Sequence, residues 1–107
     1  MAAGQRNQPI WQTDACPPWC ARLHLDTDHP EDRLHQSVPV IVPALGRRSL
    51  LPEDRPERTE IEVMMAARMN GGSPPWILMG EGEGPALLII DDTTARRLIV
   101  SLRTLLP

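Results

Sequence analysis

The sequence predicts an α+β domain: a Cys/His-rich N-terminal module, a three- to four-stranded antiparallel sheet, and one C-terminal amphipathic helix. Three observations predict it. Both cysteines and all three histidines of the 107-residue chain fall between positions 16 and 35. Short β-branched runs punctuated by Pro, Gly and Asn fill the middle. The C-terminal stretch "DDTTARRLIVSLRTLLP" repeats apolar side chains at helical spacing.

The elements follow in chain order. Residues 1–13, "MAAGQRNQPIWQT", lack apolar periodicity and predict a flexible arm, leaving 14–107 as a single small domain. Beyond the Cys/His region, "SVPVIVPAL" (37–45) predicts a strand whose Pro39 and Pro43 place it at an edge or mark its ends. Charge and proline dominate 46–59, where Arg47, Arg48, Arg55 and Arg58 interleave with Glu53, Asp54 and Glu57. That composition predicts a solvated loop.

In "TEIEVMMAARMN" (59–70), Ile61, Val63 and Met65 alternate with Glu60, Glu62 and Met64, which predicts a strand; core packing is the expected fate of the methionines. "PPWILMGEG" (74–82) predicts its hairpin partner, joined through 70–75 with its Asn70-Gly71-Gly72 turn. "PALLII" (85–90) predicts a buried strand. Asp91 then serves as N-cap of a helix with Ala95, Leu98, Ile99, Leu102, Leu105 and Leu106 on one face and Arg96, Arg97 and Arg103 away from it. That apolar face is expected to cover the sheet.

Composition narrows the function. The formal charge is −3, and neither a basic balance nor a basic stripe of the kind that holds nucleic acid stands out. Every basic residue is arginine, and Lys, Tyr and Phe are absent, a bias expected of a GC-rich genome. The start lacks the apolar core of a signal peptide, and the run "ALLII" (86–90) is too short to span a bilayer. A cytoplasmic protein with no membrane partner is expected. In that reducing compartment, neighbouring cysteines serve as ligands or catalytic groups more often than as a disulfide.

"CPPWCARLH" (16–24) carries the chemistry. A disulfide across the stiff Cys16-Pro-Pro-Trp-Cys20 loop meets demanding bridge geometry. A thioredoxin-type pair needs C-x-x-C, one residue shorter. A nucleophilic cysteine needs a base and an oxyanion donor, and no Gly-rich loop supplies one. Zinc remains, because thiolate and imidazole are its ligands and a structural site takes four of them. The clustering of every soft donor, and two prolines that stiffen the turn, point the same way. Trp19 is expected to pack on the sheet and shield the sulfurs. Such a metal staple also suits a chain with a small core.

Five donors compete for four places. Cys16, Cys20 and His24 form an even C-x3-C-x3-H run. For the fourth, His29 gives a short H-x4-H spacing within the acidic loop "DTDHPED", whereas His35 sits just before the first strand. Spacing leaves this choice open.

The pattern resembles a family of small actinobacterial proteins of uncharacterised function. Its motif is Cys-Pro-x-Trp-Cys-x3-His, a later His before a Val/Pro-rich strand, and a C-terminal Leu-Thr-x-x-x-Ala-Arg-x-Leu element. Ile90, Asp91, Ala95, Arg96 and Leu98 match the last part, with Asp91 in place of the threonine. Asp92 and Thr93 depart from the Pro and Glu found in that family's first helical turn. The resemblance covers both ends of the chain and not 46–75. It implies Cys16, Cys20, His24 and His35 as the Zn²⁺ ligands, and it brings no established activity.

Four filled positions would close the site, making the metal structural. No H-E-x-x-H or deaminase-type zinc signature occurs, so an enzyme is not expected. Without metal the N-terminal third should lose its order. The expectation is a non-enzymatic zinc-binding module that acts through a protein partner or self-association. Strand edges at 38–42 or 76–79 and Met64, Met65 and Met69 are candidate surfaces. The alternative is a zinc-finger-like nucleic-acid binder using Arg22, Arg33, Arg47 and Arg48 on phosphates. A metallo-hydrolase ranks third.

Overall fold

Alternation sets the centre of the molecule. Ile61, Val63 and Met65 share one side of a long strand, β3 (Glu57–Arg68), to which three other strands pair. The computed structural model describes residues 8–71, 74–82 and 84–107. Over them the chain is α+β, with a five-stranded antiparallel sheet and one C-terminal helix.

After a 3₁₀ turn at Pro30–Asp32 come β1 (Leu34–Gln36) and β2 (Val40–Gly46), which pair in succession along one edge of β3. The expected strand over 37–45 therefore begins at Val40, and a further short strand containing His35 precedes it. The break has a simple cause. Proline has no N–H to donate, so at Pro39 the ladder stops, and Ser37 bridges the gap. Its N–H donates to the Met65 carbonyl, and its hydroxyl accepts from the Met65 N–H at 2.8 Å. Pro43 stays within β2, as an edge strand allows.

The β2–β3 register runs out to Gly46 opposite Glu57, which shortens the charge-rich loop to 47–56. That loop is held by its own polar groups: Arg47 donates to the Ser49 and Leu51 carbonyls, and the Ser49 hydroxyl donates to Asp54. On the other edge of β3 lies β4 (Trp76–Glu81), then β5 (Leu88–Asp91), so the sheet reads β1 and β2, β3, β4, β5. Of the 70–75 connection, residues 72 and 73 lie outside the described residues.

The helix α1 (Asp92–Leu105) begins where predicted, with the Asp91 carboxylate accepting from the Thr94 N–H at 2.8 Å. It does not cover the sheet. None of its residues is buried, and Leu102 and Leu105 are 48 % and 81 % exposed. The reason is covalent: β5 ends at Asp91 and α1 starts at Asp92, so no residue remains to fold the helix back. Among the described residues no helix is long and apolar enough to cross a membrane.

The tightest packing sits at the β1 end of the sheet. Ala66, Ala67 and Met69 are buried there, with the polar Gln12 and His35. Residues 1–7 of the expected arm lie outside the described residues. Residues 9–13 lie against the Cys/His segment, through Trp11 and Gln12.

Candidate metal centre

Each donor reaches the centre by a local device. Pro17 and Pro18 turn the chain, and the Cys20 N–H donates to the Pro17 carbonyl at 3.0 Å, which folds the two cysteines toward each other. No disulfide joins them. The next residue, Ala21, donates its N–H to the Gln36 carbonyl at 2.8 Å, docking this turn on the outer edge of β1. His24 follows four residues after Cys20, with its Nε2 3.6 Å from the Cys20 Sγ. His35 enters from β1, opposite Ala67.

One ligand atom from each of Cys16, Cys20, His24 and His35 lies within 4.8 Å of the others. Bond lengths of about 2.3 Å to sulfur and 2.0–2.1 Å to nitrogen put the donors of a zinc tetrahedron about 3.4–3.8 Å apart. A contraction of about 1 Å would therefore seat the ion. The donor set fits: two soft thiolates and two imidazoles are the ligands of closed structural sites. His35 supplies a second sign of fit, for its Nδ1 is buried without a hydrogen-bond partner while its other nitrogen is engaged.

Apart from Trp19, sequence reasoning missed the residues around these donors. The His35 ring is 3 % exposed, and its Nε2 lies 3.0 Å from Oδ2 of Asp14. Burial pushes the Asp14 carboxyl up. Hydrogen bonds from the His35 ring and the Asn70 backbone outweigh it and leave the group below its ordinary value. Gln12, only 7 % exposed, donates one amide to the Asp14 carbonyl and toward the Cys16 Sγ, at 2.9 and 3.5 Å.

Asn70 ties the segment down. Its side-chain oxygen accepts from the Thr13 N–H and hydroxyl, both at 2.7 Å, and from the Asp14 N–H, while its amide donates to the Trp11 carbonyl. Aromatic rings close the sides. Trp19 meets His35 edge-on at 6.2 Å, Trp11 meets His24 likewise, and His24 and His35 are themselves 5.5 Å apart. Trp11 also carries the Arg33 guanidinium over its face at 4.6 Å.

His29 stands elsewhere. It caps the 3₁₀ turn, its Nδ1 accepting from the Glu31 N–H, and it is exposed. Three of the arginines considered for phosphate contacts are engaged within the chain: Arg22 with Gln36, Arg33 with the Asp28 carbonyl and Trp11, and Arg47 within its loop. A cleft of about 670 Å³ opens near the 47–56 loop, lined by charged residues of both signs such as Arg48, Glu53, Arg58 and Glu81. It holds no cysteine or histidine and is remote from the donor cluster in the sheet.

Comparison with protein families places residues 2–106 in a domain of unknown function, DUF6907, and the chain belongs to that family. Neither the curated proteins nor the solved structures contain a match to it.

Proposed function

We propose that this DUF6907 domain is a non-enzymatic zinc-binding module whose metal is structural and whose work is to bind another protein. The observation that carries the metal reading is the convergence of four soft ligand atoms from Cys16, Cys20, His24 and His35 within 4.8 Å. Zn²⁺ suits them best, and a reducing cytoplasm keeps both sulfurs available as thiolates. Bound there, the ion would link the 16–24 turn to β1, so that metal-binding free energy becomes folding free energy.

A structural role follows from the donors and their neighbours. Four protein ligands complete a tetrahedron, with no position for substrate. The carboxylate that reaches the cluster, Asp14, bonds to the His35 ring and so serves to orient a ligand rather than to activate water. An interaction role is supported by the exposed apolar strands and helix, which a folded protein ordinarily covers.

The test is elemental analysis of protein purified without added metal, together with His24→Ala, His29→Ala and His35→Ala. One zinc per chain is expected in the wild type and the His29 variant, and loss in the other two. Equal zinc in all three variants would remove the ligand assignment.

A further inference from the structure

The strand register sorts side chains onto two faces, because residues paired across a ladder share a side. One face collects Val42, Ile61, Val63, Met79, Leu88 and Ile90 into a continuous apolar surface across four strands. His35 lies at its far end on the same side, opposite Ala67. The Cys/His module packs only around that end. Away from it the face is half-buried at Val63, Met79 and Ile90 and open at Val42 and Leu88, which are 42 % and 52 % exposed.

The second unpartnered surface is the stripe of Leu98, Ile99, Leu102 and Leu105 on α1. A helix stripe and a sheet face of this kind are the two halves of an α-on-β layer. Within one chain the helix touches β4 and β5 but leaves its stripe exposed, as Ile99 and Leu105 show. Asp91 is at once the last residue of β5 and the cap of α1, whereas strand-to-helix connections that fold a helix onto its sheet commonly use two to six residues. The helix is therefore not folded back onto its sheet, and none of its residues is buried.

The areas agree. The chain exposes 8598 Å², against about 5,900 Å² for a compact monomer of 11.9 kDa. Its radius of gyration is 17.5 Å, against about 13 Å for a compact domain of this length. The excess surface is roughly 2,700 Å². Obligate dimers cover about 1,000–2,500 Å² on each partner, so the excess is large enough to contain one such interface.

We propose that two copies of the chain associate about a two-fold axis, each laying the apolar face of α1 on the open sheet face of the other. A second copy is the occupant that carries both missing halves. One symmetric contact satisfies the helix and the sheet of each chain at once, which is the self-complementarity an isologous interface requires. A short connection that blocks closure within a chain is also the geometry that promotes exchange between chains. This deepens the interaction reading and rests on it: the partner is the protein itself.

The test uses the full, zinc-loaded chain. Sedimentation equilibrium should give twice 11.9 kDa at micromolar concentration. In a mixed sample of ¹³C-labelled and unlabelled chains, isotope-filtered NOEs should connect the Leu98 and Leu102 methyls with those of Val63 and Met79 across chains. Leu102→Glu should weaken the dimer at least about 100-fold, as removal of a central anchor does. Arg96→Ala, on the other face of the helix, should leave it intact. A zinc-loaded wild-type monomer would overturn the proposal, as would a dimer lacking those interchain NOEs, or the same NOEs arising within one chain. A dimer purified without zinc would overturn the metal reading alone, so the two failures are distinct.

Discussion

The Asp14 carboxylate lies 3.0 Å from Nε2 of His35, a ring held almost entirely out of water. A histidine that ligates through Nδ1 keeps its proton on Nε2, and a carboxylate at that nitrogen fixes the ring's orientation and raises its basicity. Asp14→Ala should leave all four ligands in place and weaken zinc binding by about 10- to 100-fold. Competition against a chromogenic chelator measures this. Unchanged affinity would show that burial alone orients the ring.

Asn70 does two things that no other residue type does together. It adopts φ of 62°, where Asn is tolerated better than other non-glycine residues, and its amide makes four hydrogen bonds to residues 11–14. Asn70→Gly keeps the backbone and loses the bonds, at an expected cost of about 1–3 kcal/mol. Asn70→Ala adds left-handed strain of about 1 kcal/mol or more. Urea unfolding of the zinc-loaded protein, followed by tryptophan fluorescence, should rank the three in that order.

These two residues also mark how far the sequence can be read. Period-two alternation in 59–65 and helical spacing from Ala95 to Leu106 each report a local periodicity, and β3 and α1 stand where those patterns place them. Spacing left His29 and His35 open, and only the family resemblance implied His35, the one that joins the cluster. The Cys16, Cys20 and His24 run was legible because donors close in sequence need little folding to meet. The Asn70-Gly71 turn signal was legible for the same reason. Its grip on Thr13, 57 residues away, was not, since a long-range hydrogen bond leaves no local period. Gln12 lay hidden within, and Asp14 just beyond, an arm whose composition reads as flexible. Where the helix lies was also beyond local pattern: amphipathicity states that α1 needs a cover, and the missing connector decides that its own sheet does not give one.

Acid should act on the helix cap with a definite sign. The hydrogen bonds from the Thr94 side chain and then the Thr94 backbone hold the Asp91 carboxyl below its reference value of 3.8. The folded form therefore binds this proton more weakly than the unfolded form. The cap's contribution is complete above pH 3.8 and is lost as pH falls through the lower, folded value. Asp91→Ala should show less helical ellipticity than the wild type at neutral pH, through fraying of the first turn. That difference should shrink to nothing in strong acid. A difference that persists unchanged to the lowest pH would mean the carboxylate charge is not what caps the helix.

Metal removal should divide the chain into two parts of unequal response. Besides the Ala21 N–H and Arg22 bonds to Gln36 and the Trp19–His35 contact, the 16–24 turn would be tied to the sheet by the metal proposed at its donors. The β3–β4 ladder, from Ile61 opposite Glu81 to Ala66 opposite Trp76, contains none of the four donors. Chelation should therefore speed amide exchange at Cys20 and Ala21 by at least about tenfold, the equivalent of 1.4 kcal/mol of lost protection. The Val63 and Leu78 amides should change little. Trp11 and Trp19, packed on the two histidines, should become more exposed in the same step, seen as a red shift in emission. Uniform loss of protection across β3 and β4 would show that the ion supports the whole sheet, and no loss anywhere would show that the 16–24 turn folds without it.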